Sequence, residues 1–100
     1  MIHWKEKKLS EMKKGDSFET SEKGNSMTPL FMSGEHHILT KIDSLDEIEV
    51  GDAVFCKVKG NYYTHLVKAK DDKKGCLIGN NHGKINGWTK NVFAKASKIK

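Results

Sequence analysis

Hydrophobic residues along this chain fall in short blocks, and within most blocks they alternate with polar ones. A period of two is the signature of strands with one buried face. The segments that carry it, each bounded by turn residues, are 17–20 (SFET), 36–42 (HHILTKI), 52–60 (DAVFCKVKG), 62–69 (YYTHLVKA), 76–80 (CLIGN) and 92–99 (VFAKASKI). The pattern predicts a mostly β domain. Its clearest hairpin joins AVFCKVK to YYTHLVKA through Gly60-Asn61, a dipeptide suited to a tight turn. Val54, Cys56 and Val58 then share one face, with Phe55 and Lys57 on the other. Across the turn Tyr63, His65 and Val67 share a face, and Tyr62, Thr64, Leu66 and Lys68 share the opposite one. His65 is therefore expected between apolar neighbours on an inward face.

Three stretches break the alternation. Ile2, Leu9 and Met12 suit a short, mostly exposed helix or an arm laid on the domain, ended by Gly15 and Asp16,. The predicted organisation is thus an arm over 1–14 and a β domain over 15–100. SLDEIEV, 44–50, reads as a loop or single turn before Gly51-Asp52. IGNNHGKINGW, 78–88, is too dense in Gly and Asn for a regular element and reads as an ordered loop whose Trp88 should bury its ring,.

Composition narrows the function classes. With 36% hydrophobic and 31% charged residues, the chain is expected to be a single soluble domain with a lean core. No apolar run approaches the roughly 18 residues of a membrane span, and the first residues lack a signal peptide's apolar centre. The expected location is the cytoplasm. The net charge of +5 comes from lysine alone, since the chain has no arginine. Weak, non-specific attraction to nucleic acid follows, but not the base reading that arginine supplies. Cys56 and Cys76 stand apart, which suits core thiols rather than a zinc site,. The neighbours His36 and His37 point to opposite faces of a strand and do not chelate one metal together. No metal or cofactor is expected.

The candidate chemistry lies in KGNSMTPLF, 23–31. Gly, Asn, Ser and Pro are the ordinary vocabulary of turns, so Ser26 reads locally either as a turn residue or as a nucleophile. A serine hydroxyl becomes nucleophilic when a base takes its proton, and a histidine is suited to that at neutral pH. His65 reads either as that base or as a packed strand histidine.

Landmarks in order along the chain bear on this choice: Gly24-Asn25-Ser26-Met27 with Pro29, Ser33-Gly34-Glu35 before a strand, Val50-Gly51-Asp52-Ala53-Val54, His65 on a strand, and the loop Gly79-Asn80-Asn81. Together they resemble the LexA and signal peptidase superfamily of serine peptidases, over about Gly15 to Lys98. The segments GNSMTPLF, KVKGNYYTHLV and GNNHGKINGW are also similar to small stand-alone phage and bacterial members. The resemblance implies a LexA/signal peptidase-like β-barrel or sheet domain, with Ser26 as nucleophile and His65 as base. It further implies a Ser26 backbone N–H at an oxyanion site, and Gly24, Asn25, Met27, Asn80, Asn81 and His82 around the substrate or the base. The histidine branch usually has an aspartate in or near the loop that holds Asn80 and Asn81 here. Asp71 and Asp72 are the alternative carboxylates nearby in sequence.

These readings lead to two expectations. One is a serine peptidase acting in trans on a soluble peptide or protein through a Ser26/His65 dyad. The other is a catalytically inactive peptidase-fold module, a phage or bacterial accessory protein that holds a partner protein in the former substrate cleft.

Overall fold

The computed structural model describes residues 2–99, so Met1 and Lys100, the outer bounds of the expected arm and β domain, lie outside it. Seven strands form one antiparallel sheet in the order β1-β2-β7-β3-β4-β5-β6. They are β1 (Ser17–Ser21), β2 (His36–Lys41), β3 (Ala53–Val58), β4 (Asn61–Asp71), β5 (Gly75–Gly79), β6 (Ile85–Thr89) and β7 (Val92–Lys98). β1 and β6 do not pair, so the sheet is open rather than a closed barrel. The mostly β expectation is met.

The arm is a helix, α1 (Trp4–Ser10), preceded by His3, whose Nδ1 accepts the Lys5 N–H at 3.1 Å. At this length a helix does not hold itself together in water. It is held by burying Leu9 against Leu39, Phe55 and Ala94, and by Lys5, which reaches Glu22 at 3.0 Å. The segment 44–50 contains one 3-10 turn, Leu45–Glu47, closed by a capping box between Ser44 and Glu47,. Among the described residues no helix is long and apolar enough to cross a membrane.

The alternation in the central hairpin sorts the core. Val54, Cys56 and Val58 of β3 pack with Val67, Cys76 and Ile78, while Phe55 faces the other way toward Leu9 and Tyr62. The hairpin turn differs from its expected position. Val58 pairs with Asn61, so the loop is Lys59-Gly60 and Asn61 opens β4. Lys59 and Gly60 have φ of 50° and 86°, the positive values that a two-residue hairpin turn matching strand twist demands. The residues 78–88 also differ from expectation, because Ile85–Thr89 is a strand paired with β5. Trp88 lies across from Leu77 and is 36% exposed, with Lys74 Nζ 5.3 Å from its ring centre. As an edge strand, β6 has no further sheet partner to cover that ring.

A third cluster positions the candidate chemistry. Met27 and Phe31 are buried with Ala53, and Leu66 and Ala96 pack against them. Two apolar side chains thus anchor the turn that carries Ser26 to the sheet.

Candidate active site

Between β1 and β2 the chain turns tightly. Gly24 has φ of 119°, a conformation side-chain-bearing residues rarely adopt,. Beyond it, Thr28 N–H donates to Asn25 O at 3.2 Å and Phe31 N–H to Met27 O at 2.9 Å. This turn, pinned by Met27 and Phe31, leaves Ser26 half-buried. His65 comes from β4, opposite Val54 of β3, and is 7% exposed. Its ring stacks on Tyr63 with 4.8 Å between centroids, as expected for residues two apart on one strand face. Ser26 Oγ lies 3.1 Å from His65 Nε2, a hydrogen-bonding distance for nucleophile and base.

A third side chain completes the relay. His65 Nδ1 lies 2.7 Å from Asn86 Oδ1. A carbonyl oxygen only accepts, so Nδ1 carries the proton and Nε2 presents its lone pair to the Ser26 hydroxyl. Asn86 thus selects the tautomer in which His65 can take a proton from Ser26. It sits on β6, in the stretch expected to be loop. Its signal in the sequence was the same Gly/Asn density that drew attention to Asn80 and Asn81.

Neither Asn80 nor Asn81 makes a hydrogen bond to His65. Asn80 folds its own turn, its Oδ1 accepting from the His82 and Lys84 N–H groups at 2.8 and 3.0 Å. Asn81 holds the Ser26 turn: its N–H donates to Ser26 O at 3.0 Å and its Nδ2 to Thr28 O at 2.9 Å. His82 adds a third tie, with Nε2 2.9 Å from Asn25 O. The carbonyls of residues 25, 26 and 28 are therefore clamped by one loop. The physical reason is reach, because the 80–84 turn projects beyond β5 and β6 toward the Ser26 turn, whereas Asn86 lies back on the strand. Asp71 is engaged elsewhere, accepting from the Lys73 and Lys74 N–H groups of its own turn.

Burial lowers the His65 pKa below the ordinary histidine value. The hydrogen bond to Asn86 and the Glu22 carboxylate oppose that shift, and Lys84 adds to it. A neutral imidazole at pH 7 results, the form a general base needs. Glu22 is itself held below the usual carboxylate range, against the cost of burial, by hydrogen bonds from Thr64 and Lys5. Cys56 is inert by contrast, with burial pushing its thiol up to about 12. His36 and His37 separate as expected. His36 pairs with Glu19 at the surface at 2.6 Å, and His37 is buried. No group of three or more His, Cys, Asp or Glu side chains is placed to hold a metal among the described residues.

Comparison with protein-family models, with curated proteins and with solved structures finds no match.

Proposed function

We propose that this protein is a serine peptidase of the LexA and signal peptidase type, acting in trans on a peptide or protein substrate. The observation that carries the reading is the Ser26–His65–Asn86 relay, with contacts of 3.1 and 2.7 Å. Ser26 Oγ attacks the scissile carbonyl carbon as its proton passes to His65 Nε2. The Ser26 backbone N–H serves the oxyanion. His65 then gives its proton to the leaving amine, which departs and leaves an acyl-enzyme. Water, deprotonated by His65, attacks the ester and frees Ser26.

Asn86 orients the imidazole but carries no charge to stabilise imidazolium. A slow enzyme is therefore expected. The same feature favours a second reading, in which the fold serves as a module that binds an extended chain in the cleft without cutting it. A fluorophosphonate probe separates the two. It should label the wild type and leave Ser26→Ala unlabelled, with the wild-type rate rising as His65 loses its proton. An unlabelled wild type between pH 6 and 9 would refute the peptidase reading and leave the module.

A further inference from the structure

Beside the relay, Ser26 lines a cavity of about 40 Å³. Met27, Phe31 and Met32 form its apolar wall, and Glu22, Glu35 and His37 supply polar groups. The carboxylates are already engaged. Glu22 accepts from Lys5 and Thr64, and Glu35 accepts the Met32 N–H at 3.1 Å and lies 3.9 Å from Lys98 Nζ. His37 is different. It is 2% exposed, and neither ring nitrogen has a hydrogen-bond partner among the described residues. Phe31 meets its ring edge-on at 5.3 Å, which fixes the ring without satisfying either nitrogen.

We propose that this cavity receives the side chain of the residue whose carbonyl Ser26 attacks, and that His37 makes it select a small hydrogen-bonding side chain, serine first, over alanine and leucine. The inference rests on the peptidase reading for the position of the peptide.

Burial lowers the His37 pKa, opposed by the Glu22 carboxylate and the nearby Glu35 carbonyl, so the ring is neutral near pH 7. That carbonyl acts on the ring without closing a hydrogen bond. A neutral imidazole offers one donor and one acceptor, and a serine hydroxyl can answer either. Both nitrogens are already buried and unpaired among the described residues, so a serine hydroxyl gains a buried hydrogen bond where an alanine methyl gains none. Leucine fills the cavity with carbon alone and leaves the same two nitrogens without a partner,.

The test uses peptides identical except for serine, alanine or leucine at this position. Diphenyl phosphonate versions, which fix the register by bonding to Ser26, should inactivate the wild type about tenfold faster with serine than with alanine, the worth of one buried hydrogen bond. Unreactive versions are titrated into Ser26→Ala while the His37 ring nitrogens are followed by 15N NMR. The serine peptide should bind about tenfold more tightly than the alanine peptide and shift those nitrogens. His37→Leu should abolish the preference and His37→Gln, which keeps a donor and an acceptor, should retain part of it. Both variants are first checked for native melting, and the Gln variant decides if the Leu variant does not fold. Equal affinities, no binding, or a preference that survives in His37→Leu would overturn the inference. A serine preference in binding without phosphonate inactivation would sink the peptidase reading and leave the selection by His37 standing.

Discussion

Replacing Asn86 with aspartate puts a carboxylate where an amide oxygen now sits 2.7 Å from His65 Nδ1. The geometry changes little, and the charge changes by one. Taking the centres of imidazolium and carboxylate as about 4 Å apart, the attraction is about 4 kcal/mol at an effective dielectric near 20. Asn86 is only half-buried, so solvent screening and the cost of burying the carboxylate leave a net of about 1–3 kcal/mol. Two consequences follow. The His65 pKa must rise, because the charged ring is the form stabilised. At a pH where His65 is still neutral, the same stabilisation acts on the imidazolium developing in the transition state, so the rate should rise about 10- to 100-fold.

The gain has a known analogue. Removing the orienting aspartate from a Ser-His-Asp peptidase costs about 10⁴, part of it through the wrong tautomer. Here the amide oxygen already faces Nδ1, so only the charge is to be regained. The assay is fluorophosphonate labelling of wild type and Asn86→Asp from pH 5 to 10, with the His65 pKa read from ring NMR signals. The acid limb of the variant's profile should move to higher pH and its plateau should rise. An unchanged His65 pKa would show that Asn86 does not contact the base, and a raised pKa with a flat or lower plateau would show that imidazolium is not formed in the rate-limiting step.

The clamp and the base should prove separable in Asn81→Asp. That variant loses the 2.9 Å bond to Thr28 O and turns a carboxylate toward a carbonyl, costing about 1–2 kcal/mol in urea unfolding. Labelling should slow while the His65 pKa stays where it is; a shifted pKa would contradict the placement of Asn81 against the Ser26 turn. Stability should also fall with acid. His37 and His65 both have pKa values lowered by burial, so the unfolded chain binds more protons as pH drops below about 6.5. Their contribution is fully present above that pH and is lost as pH falls through the folded values. The urea midpoint should decline from pH 7.5 to 5, less so in His37→Leu, and a flat midpoint would refute the assignment. Lys5→Met should cost about 1–2 kcal/mol, below the usual penalty for breaking a buried pair because Glu22 is partly solvated. Urea curves that overlay the wild type would mean that the 3.0 Å pair to Glu22 does not hold α1 to the sheet.

How far the sequence could be read depends on whether a residue's surroundings come from its own strand or from elsewhere in the fold. Val54, Cys56 and Val58 alternate with Phe55, and both sets are buried because the main core covers one face of β3 while Leu9 of α1 packs against the other. His65 falls inward for the same reason. The residues of β6 carry no such signal. Ile85, Asn86, Gly87, Trp88 and Thr89 form an edge strand in which most residues are not buried, and their pairing comes from β5. Strand formation there is a tertiary effect that propensity cannot report.

The same distinction separates the asparagines. Asn80, Asn81 and Asn86 lie within one Gly-rich stretch and look interchangeable in sequence, yet only the strand residue is carried alongside β5, whose other neighbour β4 bears His65. Asn81, at the loop tip, reaches the Ser26 turn instead. A shared sheet therefore gives Asn86 the fixed geometry that an orienting group needs, since a base must hold its position within fractions of an ångström. The loop that stands where the resemblance led one to expect the orienting residue supports the Ser26 turn, and the His65 ring is oriented by a strand that only the folded sheet makes visible.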